Sequence, residues 1–285
     1  CTAFMWACRK GKKDVVQLFL DHSNPNIDLK AKDNEGWTAL IWACYEGQKD
    51  VIKLLLDHSD RNIDFNAKDN DGLTAFMWAC NKGHKDVVQL FLNHSDPDIN
   101  LEAKDNDGWT ALICACHEGQ KDVQLLLDHS DPNFYVNAKD NDGANALMMA
   151  CYEGHTEVVQ MLLDHSDQHI EVNAKDNEGL TSFMRACSEG QKDIVQLLLD
   201  HSVSNIELNA KDNDGYTSFM WACQNGQKDV VQLLIDRSDS NIELNARDND
   251  GWTGFMLACH EEHKDVVKLL IKSKNVVCNL PPSLE

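Results

Sequence analysis

The sequence predicts an all-α repeat solenoid, built from stacked helix-turn-helix units that are joined by short hairpin-like fingers. Three observations predict it. A Gly-x-Thr signature recurs at Gly36-Trp37-Thr38, Gly72-Leu73-Thr74, Gly108-Trp109-Thr110, Gly179-Leu180-Thr181, Gly215-Tyr216-Thr217 and Gly251-Trp252-Thr253, and Gly143-Ala144-Asn145 carries Asn for Thr. The spacings are 36, 36, 35, 36, 36 and 36 residues, so a chain of 285 residues holds about eight units and little else. Each unit carries two apolar stretches too short to bury their own faces, which must therefore stack on neighbours.

The unit from Gly72 to Gly108 shows each element in turn. Thr74 is a good N-cap for a first helix through Ala75-Phe76-Met77-Trp78-Ala79-Cys80, and Gly83 stops that helix. Lys85-Asp86 opens a second helix, with Asp86 in the first turn complementing the macrodipole. Val87, Val88, Leu90, Phe91 and Leu92 supply its apolar face, broken by Gln89. Asn93 to Asp98 is turn chemistry, Ile99-Asn100-Leu101 alternates briefly, and Lys104-Asp105-Asn106-Asp107-Gly108 makes a tight solvated tip. The predicted array covers residues 1–272, with boundaries near 36, 72, 108, 143, 179, 215 and 251 and a tail at 273–285. Its first unit starts inside a first helix with neither an initiator Met nor a polar cap, which predicts a fragment of a longer polypeptide. In the last unit Glu262 replaces the turn glycine, and that unit is predicted to cap the array.

At Gly36-Trp37-Thr38-Ala39-Leu40-Ile41-Trp42-Ala43-Cys44, Gly83-His84, Val230-Val231-Gln232-Leu233-Leu234 and Asn209-Ala210-Lys211-Asp212 the chain resembles the ankyrin-repeat family. Two departures matter. The family's Pro-Leu-His becomes Ala-Leu-Ile or Ala-Phe-Met, so its Thr–His hydrogen bond is absent and a larger apolar residue fills the space. The unit is also about three residues longer than the usual period, with the excess in return stretches such as Ser59-Asp60-Arg61-Asn62-Ile63.

Composition narrows the function. The formal charge is −21, from 26 Lys+Arg against 47 Asp+Glu, which disfavours nucleic acid and anionic lipid and favours a basic partner. No apolar run approaches the ~18 residues of a membrane span. Eight of the 11 cysteines, Cys8, Cys44, Cys80, Cys116, Cys151, Cys187, Cys223 and Cys259, share one slot. Helices stack about 8–10 Å apart, too far for a disulfide or a shared zinc, so the ladder reads as small packing residues in a reducing, intracellular and cytoplasmic setting. His22, His58, His94, His129, His165 and His201, followed by Arg237 and Lys272, share a slot at the end of the second helix, where a cationic or hydrogen-bonding group suits the dipole. His260-Glu261-Glu262-His263 lacks zincin spacing, Asp69-Asn70-Asp71-Gly72 lacks the remaining ligands of a calcium loop, and Asn93-His94-Ser95 is a lone glycosylation sequon. No catalytic constellation, metal site or cofactor is predicted.

Comparing the units separates scaffold from surface. Ala-Cys, Lys-Asp-Val and Ala-Lys-Asp-Asn hardly change, whereas the residue after the finger glycine and the two after Ala-Cys vary. The resemblance implies that both variable slots lie along a concave face that holds partners. The expected contacts are Trp37, Leu73, Trp109, Leu180, Tyr216 and Trp252 after the glycines, Tyr45 and Tyr152 after Ala-Cys, and the tip acids Asp71 and Asp107. Aromatic side chains on a polar-rimmed surface are the usual anchors of an interface, and acidic tips would steer a basic segment toward them. The alternative reading of Trp37 and its equivalents is that they pack fingers together. Asn66, Asn137, Asn173, Asn209 and Asn245 match the finger asparagine that an oxygen-dependent hydroxylase modifies in some ankyrin repeats, although Lys30 and Glu102 break the series. The expected function is a protein-binding scaffold. The alternatives are a structural spacer, or the targeting arm of a larger cytoskeletal, channel or enzyme polypeptide.

Overall fold

A computed structural model describes residues 1–21, 28–58, 63–94, 99–129, 136–165, 170–201, 205–237 and 241–278. His22, the return stretch Ser59 to Asn62, the turn from Ser95 to Asp98 and the tail beyond Cys278 lie outside the described residues, as does the side chain of His129. The chain divides into two compact units, Cys1–Asn141 and Asp142–Glu285. The first holds α1 (Ala3–Arg9), α2 (Lys13–Asp21), α3 (Ala39–Tyr45), α4 (Lys49–Asp57), α5 (Ala75–Asn81), α6 (Lys85–Leu92), α7 (Ala111–His117) and α8 (Val123–His129). The second holds α9 (Ala146–Glu153), α10 (Thr156–Asp164), α11 (Ser182–Ser188), α12 (Lys192–Asp200), α13 (Ser218–Gln224), α14 (Lys228–Asp236), α15 (Gly254–His260) and α16 (Lys264–Lys272). Within each unit the odd-numbered helices form one layer and the even-numbered helices another, and each odd helix packs on the even helix that follows it. Among the described residues there is no strand, and Lys68 forms an isolated antiparallel bridge to Thr74 within its finger.

Local chemistry explains the helix starts. Thr38, Thr74 and Thr110 hydroxyls accept from the N–H groups of Ile41, Met77 and Ile113 at 3.2, 3.3 and 3.3 Å. Asn145 does the same for Met148 at 3.0 Å, so the one departure from Thr keeps the cap. The residue standing where the family carries His is buried in these repeats, as Ile41, Met77, Ile113 and Met148, and it fills the interior as a larger apolar group. The finger glycine is needed for close approach. At Gly72, φ is 89° and a Cβ would sit 2.6 Å from the backbone nitrogen of Asn106 in the next finger.

The 35-residue unit absorbs its missing residue at the start of its second helix. Lys121 and Asp122 lie in a turn, and α8 has seven residues against eight in α6. Leu126 and Leu127 are buried like Phe91 and Leu92, and Leu125 is half-buried like Leu90. Counting back from them, Asp122 takes the place of Val87, with 2% and 1% exposure. Neither carboxylate oxygen of Asp122 accepts a hydrogen bond from another residue. Burial pushes its pKa up to about 6, against the pull of its own amide and of nearby His84 and Lys85.

Polar ladders tie successive repeats together. Lys32, Lys68 and Lys104 ammonium groups donate to the carbonyls of Lys68, Lys104 and Lys139 at 2.6, 2.5 and 2.6 Å. The Asn70, Asn106 and Asn141 amides donate to the carbonyls of Asn34, Asn70 and Asn106 at 2.9, 3.0 and 2.9 Å. At the start of the second helix, Gln48 and Gln120 reach the carbonyls of Arg9 and Asn81, and His84 bonds that of Tyr45. The second unit repeats the pattern, with Lys175 and Lys211 bonding the carbonyls of Lys211 and Arg247. These bonds satisfy the backbone of otherwise irregular fingers.

Candidate functional site

The two acids of each finger do different work. Asp69 is the brace: its Oδ1 accepts the amides of Asp71 and Leu73 at 3.1 and 2.8 Å, and its Oδ2 accepts Trp78 Nε1 at 2.8 Å. Asp33 holds Trp42 at 2.8 Å in the same way, Asp212 holds Trp221 at 2.8 Å, and Asp176 holds the Arg185 guanidinium at 2.8 Å. Asp105 faces Cys114 in that slot and accepts from the amides of Asp107 and Trp109, and burial pushes its carboxyl up. Asp71 and Asp107, the predicted partner contacts, are the second acids. Both are exposed, and among the described residues neither forms an ion pair.

Braced fingers set the rings. In the first unit Trp37 lies 4.4 Å from Trp42, 5.0 Å from Tyr45 and 4.9 Å from Trp78, centroid to centroid, and Tyr45 lies 5.3 Å from Trp78. All four are half-buried. The chain's own cations border the cluster: the Arg9 guanidinium sits 4.1 Å above Trp42 while pairing with Glu46 at 2.9 Å, and Lys82 approaches Tyr45 and Trp78 at 5.2 and 5.5 Å. Leu73 is half-buried, and Trp109 packs on the His117 ring at 4.8 Å. In the second unit Tyr152 is 41% exposed and faces Arg185 at 5.8 Å. Tyr216 packs on Trp221 at 5.2 Å and Trp252 on His260 at 5.5 Å. Leu180 is buried, at 6% exposure, as is Ala144, so in those repeats the slot faces inward.

The structure brings Trp37 and Tyr45 together and adds Trp42, Trp78 and Trp221, which sequence reasoning treated as part of an apolar run. A signal for them exists. In each case a ring N–H or guanidinium donor follows the first finger aspartate by nine residues, as Asp33–Trp42, Asp69–Trp78, Asp176–Arg185 and Asp212–Trp221.

Among the asparagines expected for hydroxylation, Asn66, Asn173, Asn209 and Asn245 bridge repeats. Asn173, Asn209 and Asn245 amides donate to the carbonyls of Asn205, Asn241 and Asn275 at 2.7, 2.8 and 2.8 Å, and their oxygens accept from Glu207, Glu243 and Val277. Asn66 accepts from the Asn100 amide at 2.8 Å, and Asn137 is half-buried. The second-helix slot also crosses repeats. His201 meets Asp164 at 3.2 Å and Arg237 meets Asp200 at 2.5 Å, while His58 bonds the Leu54 carbonyl of its own helix at 2.8 Å.

The cysteine ladder is buried from Cys8 to Cys223. Burial pushes the thiols up, to about 12 at Cys8. Among the described residues no group of three His, Cys, Asp or Glu side chains could hold a metal ion, and no helix is long and apolar enough to cross a membrane.

The family model for ankyrin repeats, three copies at a time, matches residues 1–69, 59–140, 133–212 and 203–280. The chain belongs to the ankyrin-repeat family. Ankyrin repeats are in general protein–protein interaction modules. No curated protein matches this ankyrin-repeat chain.

Proposed function

We propose that this ankyrin-repeat chain is a protein-binding scaffold that receives a basic segment of its partner on the side formed by fingers and first helices, the concave side of such arrays. One observation carries the reading. The finger lysines are turned toward the carbonyl of the next finger, while second acids such as Asp71 and Asp107 stay exposed beside half-buried rings. The lysines keep their charge but are tethered to carbonyls, which leaves Asp71 and Asp107 open to a basic segment, and the rings are held by braced fingers.

Affinity comes from Trp37, Trp109, Tyr216, Trp252, Tyr45 and Tyr152, with Leu73 at their edge, and selectivity comes from the acids. An affinity pull-down should recover one stoichiometric partner whose binding weakens with salt, because the carboxylates act at a screened surface. Trp109→Ala should cost about 2 kcal/mol of that binding or more. The repeat-to-repeat ladders suit a spacer equally well, and a spacer would yield no stoichiometric partner.

A further inference from the structure

Within a unit, the residue after Ala-Cys lies on the fourth residue of the next first helix. Arg9 covers Trp42 at 4.1 Å, Tyr45 covers Trp78 at 5.3 Å, and Tyr152 meets Arg185 at 5.8 Å. At Trp221 the covering residue is Ser188, whose hydroxyl is taken up by Glu189 and by the Asn225 amide. Among the described residues, Tyr216 at 5.2 Å is the ring packed on Trp221, and no cation lies over its indole. The indole is nonetheless fixed, because Nε1 donates to Asp212 at 2.8 Å. Its edge is satisfied and one face lacks the group that covers its counterparts.

Four carboxylates outnumber two cations around the Tyr216 ring. After burial, the carboxylates of Asp248, Asp212, Asp214 and Asp250 push the Tyr216 phenol up, so all four act on that ring. The two cations of these fingers are committed elsewhere. Lys211 donates to the Arg247 carbonyl at 2.6 Å and Arg247 to the Gly251 carbonyl at 2.5 Å. No ion pair to any of the four aspartates occurs among the described residues.

We propose that Trp221 and Tyr216 seat one arginine side chain of the partner, its guanidinium stacked on the indole face that Ser188 leaves open and drawn there by Asp212, Asp214, Asp248 and Asp250. The chain supplies its own template in Arg9 on Trp42. A planar guanidinium stacks on an aromatic face in a way that a compact, strongly hydrated ammonium does not, so arginine is preferred to lysine. The inference rests on the protein-binding reading and adds the residue type and its seat.

The test uses three Gly/Ser peptides carrying arginine, lysine or neutral citrulline at the same positions, followed through the indole N–H resonance of Trp221 in the full chain. The arginine peptide should shift that resonance to saturation, with the citrulline peptide at least tenfold weaker and the lysine peptide several-fold weaker. Ser188→Tyr should fill the seat in cis without adding charge, as Tyr45 does on Trp78, and cost at least fivefold in affinity. Trp221→Leu should cost as much, and Ser188→Tyr carries the test if that variant melts early. Equal affinity for arginine and citrulline, no response at Trp221, or undiminished binding to Ser188→Tyr would each overturn the seat. A pulled-down partner that still binds Ser188→Tyr would leave the protein-binding reading standing without this seat, whereas the absence of any partner would count against that reading.

Discussion

Asp122 and Glu262 each sit where their chemistry costs stability. Burial holds Asp122 at about 6, whereas an unfolded aspartate titrates near ~3.9. Between those values the folded chain keeps a proton that the unfolded chain has released. The stability this group contributes therefore falls as pH rises through that window and stays low above it. Asp122→Asn should raise the thermal midpoint at neutral pH by the equivalent of about 1–3 kcal/mol, the cost of ionising a carboxyl that burial holds at about 6. It should make little difference below the unfolded value, which paired melts would show. Glu262 holds φ at 58° in the turn where the other repeats place glycine, such as Gly83 at 66°. Glu262→Gly should relieve roughly 1 kcal/mol of left-handed backbone strain without touching a contact surface, readable by denaturant titration. Trp37 meets three rings and Trp109 meets one histidine ring. Ring pairs contribute about 0.5–1.5 kcal/mol each beyond area burial. Trp37→Ala should thus lower the melting midpoint more than Trp109→Ala, and Trp109→Ala should act chiefly on binding.

At the scale of the element, α8 is the weak point of the first unit. It has seven residues, begins at Val123 instead of at the lysine where α6 begins, and is preceded by Asp122 in an apolar slot. Hydrogen exchange should find the amides of Val123 to Leu127 less protected than those of Val87 to Leu92, and equal protection would remove the argument. The helices were legible in the sequence because each depends on residues close in the chain: a Thr cap, an apolar run and a stopping glycine. The same holds for the start of α8, since Leu125 to Leu127 could keep their places only if the first turn gave way. The division of labour between Asp69 and Asp71 was not legible. Both are finger aspartates two residues apart, and they are told apart by the amides of Asp71 and Leu73 and the indole of Trp78 that all turn to Asp69. The destination of the finger lysines was hidden for a related reason: a charge beside two acids suggests a local pair, whereas Lys68 bonds a carbonyl 36 residues away.

Across the whole molecule, the thiols divide by position in the stack. Cys1, Cys259 and Cys278 are exposed, whereas the ladder from Cys8 to Cys223 is buried, and burial pushes the thiols of Cys8, Cys44 and Cys80 up. Alkylation under native conditions, mapped by mass spectrometry, should mark those three and spare the ladder. Chelator and reductant should leave the melting midpoint unchanged. The lysine, asparagine and glutamine or histidine ladders have a further consequence, because each bond links equivalent atoms one repeat apart. They give the polar network translational symmetry, so a whole period can be excised without stranding a donor. Deleting Leu73 to Gly108 would bring Lys68 to the Lys139 carbonyl that Lys104 now holds, Asn141 to the Gly72 turn that Asn106 now covers, and Gln120 to the Tyr45 carbonyl that His84 now bonds. The shortened chain should fold and unfold cooperatively, with its calorimetric enthalpy reduced by about 25 kcal/mol, one period at ~0.7 kcal/mol per residue. A cut one residue shorter would have to be absorbed at its junction, as α8 absorbs the missing residue of the 35-residue unit while Lys104 still reaches the Lys139 carbonyl.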